Sequence, residues 1–296
     1  MNSPMKIGLF VPLASPIATP DYVGTLASEA EQLGFDSLWV AEHVVLFDDY
    51  ASRYPYAEDG RIPAGGENGI LEPFATLAFL AARTERIRLG TGICLVPQRN
   101  PVYTAKAVAD VDWLSKGRVD FGVGVGWLAE EFRAVDVPFE RRGARCRSYL
   151  EVMKRLWCDP VSEYKDGFYE LPACRQYPKP IQKPHPPIHF GGESEAALRR
   201  VADLGQGWYG FNLDPDALSE RLARLDALLA ERGRSRRDVQ ISVSPYLKGM
   251  DQAKLEGYAR AGADQVIVTA FAGDPGQLRA LLGRLAEEIL APARSL

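Results

Sequence analysis

Strand-length apolar runs alternate with helix-length segments eight times along this chain, and that rhythm limits the folds open to it. The apolar runs fall at 6–12, 37–41, 87–95, 118–125, 188–191, 207–211, 239–244 and 265–270. Helical patterns follow at 21–33, 73–83, 101–114, 128–135 with 144–157, 194–204, 215–232, 251–261 and 275–290. Parallel neighbours need long crossovers, so such an alternation implies a parallel sheet covered by helices. Eight units in 296 residues predict one (β/α)8 TIM barrel spanning 1–296, not an open doubly wound sheet.

Two insertions break the rhythm, one after strand 2 and one before strand 5. The first, 47–71, is polar and rich in glycine and proline, with Tyr50, Tyr54 and Tyr56 interleaved. The second, 159–187, holds a predicted hairpin turning at Asp166-Gly167, then a proline-rich passage. Barrel chemistry gathers at the C-terminal ends of the strands. Only the first insertion, which follows a strand, is placed at that face by topology.

Composition narrows the function class. A net charge of −4 supplies no positive field for nucleic acid or an anionic membrane surface. No apolar run approaches the roughly 20 residues of a membrane helix, and residues 1–6 carry no secretory apolar region. Cys94, Cys146, Cys158 and Cys174 lack C-x-x-C spacing and read as isolated thiols of a reducing compartment. The expectation is a cytoplasmic protein that handles a small molecule, with neither nucleic acid nor membrane as partner.

Three segments carry candidate chemistry. His43 stands just past strand 2, where an imidazole can exchange a proton or hydrogen-bond a substrate oxygen, or can simply brace a loop. Glu42 beside it is read as an orienting group for His43, a ligand contact or a salt-bridge partner. Phe121-Gly-Val-Gly-Val-Gly-Trp127 has G-x-G-x-G spacing, not the dinucleotide G-x-G-x-x-G. Glycines such as Gly124 and Gly126 at a strand end clear room for a flat ring, with Trp127 as a wall, or serve tight packing. Gly191-Gly-Glu-Ser194 joins strand 5 to a helix. Gly191, Gly192, Glu193 and Ser194 thus form a seat for a phosphate at a helix N-terminus, or a plain capped turn. His185 and His189 are separated by prolines 186 and 187 and cannot form a helical metal pair. No metal site is expected. The basic run 141–147 reads as a solvated helix face or an anion-binding rim.

Taken in order, 34–43, 86–101, 117–127 and 191–210 resemble the luciferase-like monooxygenase superfamily, and most closely its F420-dependent oxidoreductase branch. The resemblance covers nearly the whole chain. It implies the (β/α)8 barrel, with a deazaflavin F420, or alternatively FMN, at the C-terminal mouth. It implies a non-proline cis peptide at Gly92–Ile93 against the ring, ring-lining roles for Gly124, Gly126 and Trp127, and a phosphate at 191–194. His43 matches a position that binds the ring or assists proton transfer. Luciferase itself places an arginine for the FMN phosphate where this chain has Val125, which favours F420. The oligoglutamate tail of F420 is assigned to Arg141, Arg142 and Arg145, or to Lys179 and Lys183. The implied activity is hydride transfer between F420 and an organic substrate. The alternatives are an FMN monooxygenase fed by a reductase partner and a flavin-binding protein without turnover. A metal-dependent hydrolase fits poorly with three histidines. A homodimer is implied by the resemblance alone.

Overall fold

The computed structural model describes residues 4–64 and 66–296. Residues 1–3 of the segment read for a leader lie outside the described residues, as does Gly65 of the first insertion. The strands are β1 (Lys6–Val11), β2 (Ser37–Val40), β3 (Arg88–Thr91), β4 (Cys94–Leu95), β5 (Val119–Gly124), β6 (Ser162–Lys165), β7 (Glu170–Cys174), β8 (Ile188–Gly191), β9 (Gly207–Phe211), β10 (Gln240–Ser244) and β11 (Gln265–Thr269). Parallel pairing runs β3-β2-β1-β11-β10-β9-β8-β5, and β3 pairs with β5 at Leu89–Val119 and Gly90–Asp120 to close the ring. This is the (β/α)8 barrel expected from the alternation.

The helices between strands are α1 (Pro20–Leu33), α2 (Pro73–Arg83), α3 (Pro101–Leu114), α4 (Ala129–Ala134), α5 (Arg142–Cys158), α6 (Glu195–Leu204), α7 (Pro215–Ala230), α8 (Gln252–Ala261) and α9 (Pro275–Leu285). Their starts are legible locally. Thr19-Pro20, Glu72-Pro73, Asn100-Pro101, Asp214-Pro215 and Asp274-Pro275 each place a capping side chain before a proline. Proline suits the first helical position, whose N–H has no intrahelical partner. Helix α6 instead opens Ser194-Glu195 and keeps that N–H.

The third strand departs from expectation. Residues 87–95 read as one run, but the ladder is split into β3 and β4 around a cis Gly92–Ile93 peptide. Beyond it, Cys94 and Leu95 pair only with Val123 and Gly124 of β5.

The strands bury two different interiors. Outside the ring, Ile7, Leu9 and Val11 belong to the large apolar layer shared with the helices. Inside, toward the mouth, Phe10, Trp39, Tyr209 and Ile267 form a separate cluster. Toward the floor the barrel turns polar. Trp39 Nε1 and Gln265 Nε2 both donate to Ser37 Oγ, at 2.8 and 3.0 Å. Arg88 forks onto Asp120 at 2.8 and 2.6 Å. Burial alone would raise the Asp120 pKa, but His189 and Arg88 hold it at about 2.

The two insertions go to different places. The first crosses the mouth and is tied back by Ser15 N–H to Gly69 O (2.8 Å) and Leu71 N–H to Leu13 O (2.9 Å). The second forms the expected hairpin, β6 with β7, where Asp166 Oδ1 accepts from Phe168 and Tyr169 N–H. It then passes under the floor, where Gln182 Nε2 donates to Val119 O and Asp112 Oδ1, each at 2.7 Å. Among the described residues, no helix is long and apolar enough to cross a membrane.

Candidate active site

A cavity of about 320 Å³ opens at the C-terminal end of the barrel, within the range of small-molecule sites. It gathers Glu42, His43, Gly92, Ile93, Gly124, Gly126, Trp127, Gly191, Gly192 and Ser194. These come from four separate stretches of chain. Of the residues expected at the site, Glu193 alone does not line it.

The cis peptide directs Ile93 into the barrel mouth, and the glycines make that arrangement possible. A Cβ on Gly124 or on Gly191 would collide with the Ile93 side chain, and one on Gly122 with Thr91 O. This adds a packing role to the one expected for the alternating glycines. Gly124 and Gly191 leave room for the Ile93 bulge, Gly126 lies against Phe132, and Gly124, Gly126 and Gly191 also line the cavity themselves. Gly192 adopts φ +102, which L side chains rarely take.

His43 is held by a residue that the sequence reading missed. Its Nδ1 lies 3.1 Å from Glu131 Oε2, and the other carboxylate oxygen accepts Val44 N–H at 2.7 Å. Glu131 sits in the first turn of α4 and is buried. A carboxylate acceptor makes Nδ1 the donor, so Nε2 is the nitrogen left for the cavity. The local signal was Glu130-Glu131 just past the glycines at the end of β5, an acidic pair at a helix start. Glu130 is used as well: its Oε1 accepts Ala51 N–H at 2.9 Å, joining α4 to the first insertion.

Glu42, left open between three roles, is a salt-bridge partner. It pairs with Arg99 and accepts Leu95 N–H at 2.6 Å, while Arg99 also reaches Glu72 at 2.8 Å. Burial pushes the Glu42 pKa up against the pull of Arg99. It does not orient His43, because its oxygens are spent on the β4 backbone and the guanidinium.

The α6 corner matches the anion seat in its turn and cap. Ser194 Oγ accepts Ala197 N–H at 3.2 Å. The remaining first-turn amides have no intrahelical acceptor. Arg200, on the same helix, also lines the cavity. Burial lowers its pKa, and among the described residues no carboxylate pairs with it. Nothing in the sequence singled it out, since an arginine in mid-helix usually faces solvent.

Glu193 does something else. It accepts Phe211 N–H at 2.8 Å and the Tyr56 hydroxyl at 3.1 Å, latching the first insertion to the Gly191–Ser194 turn. Burial raises its pKa. The proposed tail rim also needs correction. Arg145 is buried and spent on Pro138 O and Glu140 O. Lys179 donates to Leu156 O and Asp159 O at the far end of α5, and Lys183 to Pro180 O. Those lysines sit toward the floor, because α5 runs down the barrel from mouth to floor. Arg141 covers the Phe168 ring at 4.5 Å. Arg142 stays close to the site: it donates to Gly126 O at 3.0 Å, and Arg200 helps to lower its pKa after burial.

A belt of rings completes the mouth. Trp127 meets His43 (5.9 Å between centroids) and Tyr54 (5.2 Å), Tyr54 meets Tyr56 (5.5 Å), and Tyr56 meets Phe211 (4.9 Å). His185 and His189 lie away from the cavity, the first with Nδ1 2.8 Å from Pro186 O and the second 3.5 Å from Asp120 in the barrel interior. Among the described residues, no His/Cys/Asp/Glu group is arranged to hold a metal ion.

The sequence signature described as luciferase-like monooxygenase matches residues 5–287. An uncharacterised protein of Mycobacterium tuberculosis is 32% identical over 241 residues, covering 80% of this chain and 83% of the relative. The FMNH(2)-dependent dimethylsulfone monooxygenase of Pseudomonas putida is 28% identical over 277 residues, covering 91% of this chain and 72% of that protein. The coenzyme F420-dependent tetrahydromethanopterin reductase of Methanopyrus kandleri superposes with a TM-score of 0.75 over 98% of this chain and 99% of its own, at 17% identity. That last likeness concerns the fold.

Proposed function

The chain belongs to the luciferase-like monooxygenase family, and on that premise we propose that it is an F420-dependent oxidoreductase acting on a small organic molecule. One observation carries the reading. A single cavity joins an anion-attracting corner, made by the α6 N-terminus and Arg200, to a carboxylate-held imidazole, with the Ile93 bulge lining the same space. A planar heterocycle bearing a phosphate fits that distribution: apolar in the middle, positive at one end, proton-active at the other. When bound, the deazaflavin supplies hydride chemistry without the ready oxygen reactivity of a flavin.

The protein's residues do the rest. Gly192, Ser194 and the first-turn amides of α6 take the phosphate, with Arg200 as counter-charge. His43 Nε2 exchanges the coupled proton with the substrate oxygen. Glu131 fixes the imidazole orientation and its tautomer. Trp127 and the first insertion exclude water from the mouth.

Val125 lines the cavity where luciferase has a phosphate-binding arginine, which supports F420 over FMN. The FMNH(2)-dependent relative supports a second reading, a monooxygenase supplied with reduced FMN by a reductase partner. Titrating the apoprotein with F420 and with FMN separates the two; tight FMN binding without F420 binding overturns the first. Exposed Tyr103, Trp113 and Leu114 on α3 support a homodimer, which sedimentation equilibrium tests.

A further inference from the structure

The first insertion is polar in sequence, yet the face it turns to the cavity carries no charge. Tyr54, Tyr56, Ile62, Pro63 and Ile70 form that face. Its two arginines are engaged within the insertion itself. Arg53 donates to Glu58 O at 3.2 Å, and Arg61 N–H donates to Asp59 Oδ1 at 2.9 Å. The Arg61 guanidinium donates to Tyr50 O at 3.2 Å and lies over the Tyr50 ring at 4.5 Å. Across the cavity, Phe10, Phe211 and Tyr246 pack ring against ring, with centroids 4.5 to 6.3 Å apart.

Among the described residues lining the cavity, the charged side chains are Glu42 and Arg200, with His43 titratable. Glu42 is neutralised by Arg99. Arg200 belongs to the α6 corner. Among the described residues lining the cavity, Arg200 is the sole permanent cation.

We infer that the substrate is an uncharged, largely apolar molecule, aromatic or alicyclic, that presents one oxygen to His43, and that carboxylates and phosphate esters are rejected. This rests on the reading of His43 as the group facing substrate. A carboxylate entering here loses its hydration and meets phenol and alkyl groups in return, an uncompensated burial of charge. The phenols give no relief as switchable charges, because burial pushes the Tyr54 and Tyr56 pKa values up. Flat and saturated rings find edge and face contacts along the belt. The hydroxyls of Tyr54 and Tyr246, 3.4 Å apart, leave the wall only weakly polar.

A matched pair of probes tests this on the full chain: acetophenone and 4-acetylbenzoate, alike in ring and carbonyl and different in one carboxylate. Binding is read by tryptophan fluorescence and by the shift in Tm, with and without saturating F420. Acetophenone is expected to bind at least about tenfold more tightly. Ile62→Lys, which places a cation on the inner face of the insertion, is expected to narrow or reverse that ratio. Equal or tighter binding of 4-acetylbenzoate by the unaltered protein overturns the inference, as does failure of both probes to bind. If I62K does not fold, the ratio on the unaltered protein still decides. Loss of F420 binding with the ratio intact sinks only the cofactor reading; F420 binding with no ratio sinks only this one.

Discussion

The mouth and the floor of this barrel are built from the same eight strands and behave as opposites. At the floor, polar side chains are paired inward: Arg88 with Asp120, Ser37 with Gln265 and Trp39, and Gln182 closing from below. At the mouth, among the described residues, polar groups are left unpaired toward a cavity: His43 Nε2, the α6 amides before Ala197, and Arg200. A paired buried charge serves stability or register, while an unpaired one beside open space is available to a ligand. Both ends contain glycines, histidines and arginines, so residue type alone does not separate them. Position along the strand does.

The comparison is open to direct test, beginning with the largest effect. His43→Gln should lower kcat by about a hundredfold to a thousandfold, in the range of lost general acid–base catalysis, with Tm nearly unchanged. A large drop in Tm with kcat preserved would reassign His43 to structure. At the floor, Arg88→Met leaves the buried Asp120 without its fork and should cost about 3 kcal/mol in urea unfolding. F420 affinity of the folded protein should stay the same.

The same pair dictates an acid limit. The Asp120 pKa of about 2 lies below the ordinary value near 3.9, so its stabilisation is complete above pH of about 4 and is lost as pH falls toward 2. Urea midpoints measured through that window should fall for the unaltered protein and flatten in R88M. An unchanged slope would show that Asp120 is not the responsible group.

Arg200→Gln should weaken F420 or FMN binding by roughly tenfold to a hundredfold, since one charge-assisted contact is worth about 1.5–3 kcal/mol. Riboflavin, which lacks the phosphate, should bind as before. Equal losses for both would move Arg200 out of the phosphate corner. The smallest effect is expected from Tyr56→Phe, which removes the hydroxyl from Glu193. About 1 kcal/mol should be lost, and lost as faster protease cleavage within 47–71 more than as global instability.

How much of this was legible beforehand depends on how local each signal is. The capped helix starts lie within a few residues of each other, and so do the Gly191–Ser194 turn and the Asp166-Gly167 hairpin. His43 was placed by its address after a strand. Glu131 was not found, because its partner lies 88 residues away and an acidic residue in a first helical turn is ordinary. Glu193 looked like part of the anion seat, yet its side chain turns to Tyr56, 137 residues earlier. Lys179 and Lys183 were plausible rim cations until the direction of α5 put them at the other end.

From sequence alone came the barrel, the order of its strands, the capped turn after the fifth barrel strand and the family, because periodicity and short motifs act over a few residues. The tertiary fold alone decided which charges are paired, that the glycines make room for Ile93, and that a polar insertion presents an apolar face to the cavity. Those outcomes depend on contacts between residues tens to hundreds of positions apart, and such distances are set only when the ring of strands closes.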